Sequence, residues 1–584
     1  MTAEQTKIAE ESHVKAPWLN VYGVVPPHLD YPDCTMYEAV ERCAKTYPNH
    51  TAYVFMGRKT TYRAMAAEID LCARALKATG VRPGDRITMA MPNCPQAVIM
   101  FYAINLVGAT ANMIHPLSSE KEIEFYLKES GSIFAVTLDQ FYHKFEAIRQ
   151  NVTLDNIILA SIPDALSKPV RVGYMLTEGR KQAKIPKDAP VLRWNEFLRR
   201  GRGYHWTYRA ERRAGDEAVI LYSGGTTGVT KGIQLTNLNF NALGKQIIAT
   251  NPMFRPGDKM LAVMPMFHGF GLGVSIHSML VSGGCCILVP RFTPDSYAKL
   301  LLKYRCNLIA GVPTLYEALL RLPKMKNADL SCLKGVYSGG DSLSIELKKR
   351  FDQFLFDHHA TIQVREGYGL TECVTASCLT PYHISREGSI GIPFPDTYYK
   401  IVEHGTQKEV PYGTEGEICL SGPTVMMGYL HHPEETAQTL QTHEDGLAWV
   451  HTGDLGYMDP DGFVYFRQRL KRMIVTSGYN VYPSQMENIL DAHEFVQMSC
   501  VIGVPDPLKM QKVKAFVMLK PGVPANQETK DVLMAYIRKN VAKYALPYDI
   551  EFRAELPKTL VGKVAYRVLE EEELKKLSET AQEQ

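Results

Sequence analysis

Residues 222–232 read Tyr-Ser-Gly-Gly-Thr-Thr-Gly-Val-Thr-Lys-Gly and gather the groups that hold a polyphosphate. Glycine tolerates φ > 0 and lets backbone N–H groups come close to an anion. Gly224, Gly225, Gly228 and Gly232 would do this beside the hydroxyls of Ser223, Thr226, Thr227 and Thr230. Hydroxyls donate to phosphate oxygens, and Lys231 adds a cation. The order differs from a Walker A loop, which ends Gly-Lys-Ser/Thr; here Lys231 is followed by Gly232 and Ile233. Alone, the stretch also reads as a glycine-rich turn with no ligand.

A second motif, Glu-Gly-Tyr-Gly-Leu-Thr-Glu at 366–372, sets Tyr368, Thr371 and Glu372 around the glycines Gly367 and Gly369. A magnesium nucleotide uses an aromatic face for its base, a hydroxyl for phosphate and a hard oxygen for the metal. The alternative is a strand-to-loop turn with a solvated carboxylate. At 449–456, Trp-Val-His-Thr-Gly-Asp-Leu-Gly places Asp454 where it can accept from ribose hydroxyls. At 557–563, Pro-Lys-Thr-Leu-Val-Gly-Lys sets Lys563 on a glycine turn. Each of these two is weak by itself.

The elements that must position these residues alternate. Apolar patterning predicts strands over 86–91 and 108–114, helices over 96–107 and 120–129, and a helix from 237 onward. A strand over 360–364 leads into the Glu366 motif. Such alternation predicts an α/β fold with mostly parallel, layered sheets. Residues 161–213 are rich in Arg, Lys and Pro and read as a surface excursion. Their basic bias could also meet an anionic membrane surface. The run Phe-Arg-Gln-Arg-Leu-Lys-Arg at 466–472 carries four cations and reads as a linker. After it, patterned runs restart at 473–476, 484–492, 496–503, 514–519 and 530–541. These predict a large unit over 1–471 and a small α+β unit over 472–584.

Lysine plus arginine number 65 against 62 acidic residues, a net charge of +3 over 584 residues, so no global field points to nucleic acid. Twelve cysteines without paired CxxC spacing fit reduced thiols in a cytosol. The polar start lacks a signal-peptide pattern. Residues 96–113 and 273–290 imitate membrane spans, but polar residues and prolines interrupt or bound them, and buried elements are expected instead. The expected location is cytoplasmic, with peripheral membrane contact and a homodimer left open.

In this order and spacing the motifs resemble the adenylate-forming superfamily of acyl-CoA synthetases, luciferases and nonribosomal adenylation domains, over about 36–569. Residues 222–232 are similar to its phosphate loop, 367–372 to its YGxTE motif and 452–454 to its TGD. Arg469 falls on its ribose-binding arginine and Lys563 on its catalytic lysine. Ser477-Gly-Tyr-Asn-Val-Tyr-Pro-Ser-Gln-Met-Glu resembles the signature that opens its C-terminal domain. The resemblance implies that a carboxylate attacks the α-phosphate of Mg-ATP, and that coenzyme A then displaces AMP. Lys563 would bridge carboxylate and α-phosphate, and Glu372 would hold Mg2+ with Thr227. Thr226, Thr227 and Lys231 would hold the outer phosphates, Asp454 the ribose, and Tyr368 the adenine. Ser338, Gly339, Gly340 and Asp341 resemble a segment lining the nucleotide and acyl sites.

Two departures stand out. Arg472 occupies the family's hinge position, usually Asp or Lys, which implies a flexible, charged hinge. After rotation about it, Ser477, Gly478 and Tyr479 would meet the active site and help form the thiol tunnel. Thr230 stands where the family often has proline. In Met-Pro-Met-Phe-His-Gly-Phe-Gly at 264–271, His268 replaces the aspartate that binds the amine in amino-acid-activating relatives. An amino-acid substrate is therefore disfavoured. His268, Val274, Gly311, Val312, Tyr337 and Ser338 are the expected acyl-pocket walls, with the small residues leaving a long channel. The N-terminal stretch at 18–26 and the phosphate loop look most like bacterial-type medium- or long-chain fatty acyl-CoA synthetases. A fatty acid is the expected substrate. Aryl or bile-acid-type acids, an acyl-AMP ligase loading a carrier protein, and a silent nucleotide binder are the alternatives.

Overall fold

The computed structural model describes residues 14–177, 185–186, 188–222, 230–476, 479–559 and 562–582. An eight-stranded sheet runs in the order Gly428–Tyr429, Gly232–Thr236, Glu217–Tyr222, Thr110–Met113, Arg86–Ala90, Phe134–Leu138, Asn156–Ala160, Leu192–Arg193. Its members from Glu217–Tyr222 to Leu192–Arg193 are parallel. Gly232–Thr236 pairs antiparallel with Glu217–Tyr222, so the 222–232 motif joins two paired strands. The helix Asn237–Ala249 follows at once. Thr236 caps it, accepting from Asn239 N while Asn239 reaches back to the Thr236 N–H.

The nine-stranded sheet sets Lys259–Ala262, Leu308–Gly311, Gly335–Ser338 and Val364–Tyr368 side by side in parallel. Their carboxyl ends therefore line up, and Gly311, Ser338 and the Glu366 motif share one edge. Open α/β sheets bind ligands at such an edge. Between the layers, Pro95–Leu106 is buried along its whole length, which explains why its sequence imitates a membrane span. Among the described residues no helix is long and apolar enough to cross a membrane.

A third sheet, Tyr398–Val402, Gly416–Ser421, Ala448–Met458, Leu440–Thr442 and Val464–Arg469, is antiparallel throughout. Mostly parallel pairing thus describes the first two sheets, not this one. Antiparallel neighbours need only a short turn, whereas parallel ones need a long crossover. The C-terminal segment forms a separate five-stranded sheet. It packs with the helices Pro483–Asp491, Gln527–Asn540 and Tyr566–Gln582.

Three local expectations change. Residues 161–213 are more than an excursion. Leu192–Arg193 extends the sheet, and the helix Trp194–Arg202 buries Trp194 and Phe197. Leu198 packs beside them, so one apolar face anchors an otherwise Arg-rich helix. The stretch 466–472 is not a linker throughout, because Val464–Arg469 is a strand. Its cations alternate with the buried Gln468, as period-2 geometry allows. Finally, the strand before the Glu366 motif begins at Val364 and runs through Tyr368, so the motif is largely strand.

Candidate functional site

Paired strands of the third sheet bring Asp454 opposite Arg469. Asp454 is 2% exposed, and Tyr368 donates its hydroxyl to Oδ2 at 2.6 Å. Arg469 Nε lies 3.2 Å from Oδ1, yet that oxygen has no hydrogen-bond partner among the described residues. Burial raises the Asp454 pKa, opposed by Arg469 and the Tyr368 hydrogen bond. A buried carboxylate oxygen with capacity to accept is what a hydroxyl-bearing ligand needs. Asp454 sits within the long strand Ala448–Met458.

Lys563 reaches this cluster from the C-terminal segment. Gly562, at φ +87°, turns the chain, and Thr559 Oγ1 accepts from Lys563 N at 3.1 Å. A Cβ on Gly340 would come within 3.3 Å of Lys563 Cε, and Gly340 itself has φ +84°. Thr314 Oγ1 donates to Gly562 O at 3.0 Å, and Val564 N donates to Asp341 Oδ2 at 3.3 Å. These two bonds seat the Lys563 turn on the carboxyl edge of the nine-stranded sheet. Burial lowers the Lys563 pKa, with Asp341 and Asp454 opposing and Arg469 adding to the fall.

The Glu366 motif supplies the next wall. Tyr429 donates its hydroxyl to Glu372 Oε1 at 2.8 Å and fixes that carboxylate. Lys231 Nζ lies 4.9 Å from the centre of the Tyr429 ring and 3.5 Å from Glu435 Oε1. A single pinned carboxylate suits Mg2+, which takes one or two carboxylates together with phosphate oxygens. After Thr371–Cys373, Val374 adopts φ +66° and ψ −57°, and Thr375 N donates to Cys373 O at 2.8 Å. This is a γ-turn with positive φ on a buried β-branched residue, a strained arrangement. It presses on the His268 segment: a Cβ on Gly269 would lie 1.8 Å from Val374 O. Gly369 is equally confined, 2.3 Å from Thr375 O by the same construction.

His268 accepts from Phe270 N through Nδ1 at 3.2 Å, which leaves its proton on Nε2. Burial, aided by the Lys563 charge, pulls its pKa down to about 3, so the ring is neutral. Phe270–His277 is a π-helical turn that buries Val274. Val312 lies against both Gly340 and Gly562, and Ser338 Oγ is buried without a hydrogen-bond partner among the described residues. Gly311 does not border open space. A Cβ there would meet Leu315 Cδ2 at 2.7 Å, so its smallness serves packing and not a channel. Tyr337 turns its hydroxyl to Asn251 Nδ2 at 2.8 Å. Gly339 and Gly367 adjoin each other, with a Cβ on Gly339 3.3 Å from Gly367 O.

Ser223, Gly224, Gly225, Thr226, Thr227 and Gly228, together with Ser477 and Gly478, lie outside the described residues. Tyr479 is 56% exposed and stacks on Tyr544 at 4.5 Å. Arg472, at the expected hinge, has several partners. It pairs with Glu487, stands 4.8 Å from the centre of the Tyr566 ring and donates to Val501 O at 3.4 Å. Sequence reasoning missed Tyr429, which is positioned by strand pairing with a distant segment, Tyr429 opposite Ile233 and Gly428 opposite Gln234.

The sequence model of the AMP-binding enzyme family matches residues 40–430, and that of the AMP-binding enzyme C-terminal domain matches 485–563. A long-chain-fatty-acid–CoA ligase of Bacillus subtilis (strain 168) is 36% identical over 565 residues, covering 95% of this chain and 98% of its own. One from Salmonella typhimurium is 33% identical over 570 residues, covering 96% and 98%. An anthranilate CoA ligase in complex with anthranoyl-AMP superposes with a TM-score of 0.79 at 26% identity, covering 93% of this chain and 97% of that one. ATP-bound MatB from Rhodopseudomonas palustris gives 0.78 at 25% identity, covering 92% and 99%. Two-part architecture, convergent charged cluster and near-complete matches agree: the chain belongs to the AMP-binding enzyme family.

Proposed function

We propose that the chain is an acid–thiol ligase that activates a medium- or long-chain fatty acid with ATP and passes it to coenzyme A. The observation that carries this reading is the placement of Lys563 beside Gly340 and Asp341, among the charges of Asp454 and Arg469. The names of the similar ligases support the choice of acid.

A carboxylate resists a thiol because it is negative and its leaving group would be oxide. In the first step its oxygen bonds to the α-phosphorus and pyrophosphate leaves. Two anions must meet, so stabilising the charge that develops dominates the barrier. Lys563 Nζ would bridge the attacking carboxylate and the α-phosphate. Asp454 Oδ1 would accept from the ribose hydroxyls while Arg469 and Tyr368 hold that carboxylate still. Tyr368 would also offer its ring to adenine. Thr226, Thr227 and Lys231 of the 222–232 motif would hold the outer phosphates. Glu372, oriented by Tyr429, and Thr227 would hold Mg2+, which when bound neutralises phosphate charge.

In the second step the sulfur of coenzyme A attacks the acyl carbon and AMP leaves. Lys563 would stand in the thiol's way, so we place a rotation of the 472–584 unit between the steps. His268, Val274, Val312 and Ser338 would line the acyl chain's path. Their neutrality suits a hydrocarbon.

Pyrophosphate release measured across saturated acids of increasing length, with acyl-CoA formation followed in parallel, tests the reading. Activity is expected to peak on medium or long chains and to be at least about tenfold lower on benzoate and cholate. A peak on the aryl or steroidal acids defeats the choice of acid. Acyl-AMP release with no coenzyme A consumed defeats the choice of thiol.

The 168–176 helix supports a peripheral contact. Val172, Met175 and Leu176 are exposed beside Lys168 and Arg171. Such a face suits the surface of an anionic bilayer. Co-sedimentation with phosphatidylglycerol vesicles is expected, and the double change Val172→Ser, Leu176→Ser is expected to abolish it; equal pelleting of both proteins defeats the contact.

A further inference from the structure

We infer that Glu417 is a positioning residue for the nucleotide: it clamps the backbone bulge that presents Asp454. The inference rests on the reading of Asp454 as the acceptor of ribose hydroxyls.

The bulge is visible in the register. Gly416–Ser421 and Ala448–Met458 pair with Glu417 opposite Leu455 and Cys419 opposite His451. One residue, 418, therefore faces three, 452–454. Extra residues of this kind re-aim a side chain and must be held by something other than the ladder. Three bonds hold them. Thr452 Oγ1 donates to Ile418 O at 2.7 Å, and Asp454 N donates to Thr452 Oγ1 at 3.1 Å. Gly453, at φ +68°, donates its N–H to Glu417 Oε1 at 2.9 Å. The first two are neutral. The third ends on a carboxylate, and charge-assisted hydrogen bonds are about twice as strong as neutral ones.

Glu417 is 5% exposed. Burying a carboxylate is expensive unless it is paired and hydrogen-bonded. Its second oxygen meets His451 Nδ1 at 3.1 Å, with His404 Nδ1 at 3.8 Å. His451 Nε2 lies 2.9 Å from His443 Nε2; with protons on His443 Nε2 and His451 Nδ1, His443 donates to His451 and His451 donates to Glu417, while His443 Nδ1 has no hydrogen-bond partner among the described residues. Cys419 Sγ stands 3.6 Å from His451 Nδ1. The buried chain His443–His451–Glu417 thus ends on a single backbone N–H, one residue before Asp454. Loss of the clamp frees the bulge to shift, and a one-residue shift in a strand turns a side chain to the opposite face.

The experiment uses the full-length enzyme and compares ATP with 3′-deoxy-ATP in acid-dependent pyrophosphate release. The wild type is expected to favour ATP about tenfold or more, the usual worth of a hydrogen bond to a charged group. Asp454→Ala should erase that preference. If it does not, the reading of Asp454 fails and the inference falls with it. Given that erasure, Glu417→Ala is expected to reduce the preference to about twofold and raise the KM for ATP about tenfold, with the KM for the acid nearly unchanged. Glu417→Gln keeps a neutral acceptor for Gly453 and should fall between, losing about threefold. A Glu417→Ala enzyme that keeps the wild-type preference overturns the inference while leaving Asp454's role intact. So does one whose two KM values rise together. Should Glu417→Ala be recovered only as aggregate, Glu417→Gln decides: an unchanged preference overturns the inference.

Discussion

Lys563→Ala is expected to lower acid-dependent pyrophosphate release by about 10³-fold, the upper range for removing one transition-state donor. The same variant should convert supplied acyl-AMP and coenzyme A to the thioester within about threefold of wild type. The asymmetry follows from charge. In the first step a carboxylate approaches a phosphate, and on the proposed reading Lys563 would be the cation carried to that meeting point on its own glycine turn. In the second step the acyl carbonyl that the thiol attacks carries no charge, so the ammonium no longer has to bring two anions together. The site is half-enclosed, and burial lowers the Lys563 pKa, so the ammonium is poorly solvated and available to an incoming anion. Measuring both half-reactions on one preparation checks the assignment. Equal loss in both would remove Lys563 from the adenylation step and leave it a general structural part of the turn.

Gly269→Ala should be the most damaging small substitution near the site. The added methyl would lie 1.8 Å from Val374 O and 2.8 Å from its carbonyl carbon. Both are backbone atoms, so no rotamer can relieve the overlap. Val374 has little room to yield, because its positive φ is already strained and its neighbours close a γ-turn around it. Overpacking against side chains typically costs about 1–3 kcal/mol, and backbone opposition should take this case to the top of that range or above. The expected result is a fall in melting temperature of several degrees and poor soluble yield. Activity per folded molecule should also drop, since Glu372 precedes Val374 by two residues. Gly339→Ala is the matched control, where the nearest atom is 3.3 Å away. A Gly269→Ala protein that melts like the control would mean that the turn is compliant.

The motifs were legible in the sequence for a local reason. A phosphate loop, a glycine turn and a Thr-Gly-Asp triplet each carry their chemistry in consecutive residues. The apolar alternation around 86–130 likewise predicts the strands and helices that are found, because period and length are local properties. The misreadings share the opposite cause. The cations at 466–472 look like a linker until strand pairing sets Arg469 opposite Asp454. Gly311 looks like channel space until Leu315 is found filling it. Tyr429 and Glu417 carry no local motif at all. Their importance arises from which strand each one lies against, and a single sequence does not display that. The third sheet was unforeseen on the same ground, since its strands announce themselves only as pairs.

The pairing of Arg472 with Glu487 bears on how such a chain can be dissected. Glu487, Val501 and Tyr566 all belong to the C-terminal segment, so the arginine's counter-charge, carbonyl and aromatic partner lie on the same side of it. A junction cut just before residue 472 would keep that set whole. A junction cut just after it would strand a half-buried carboxylate without its cation, and removing one partner of a buried pair is strongly destabilising. For anyone exchanging small domains between related enzymes, the seam in this chain therefore lies on the amino side of the arginine. The residue belongs with the module that follows it.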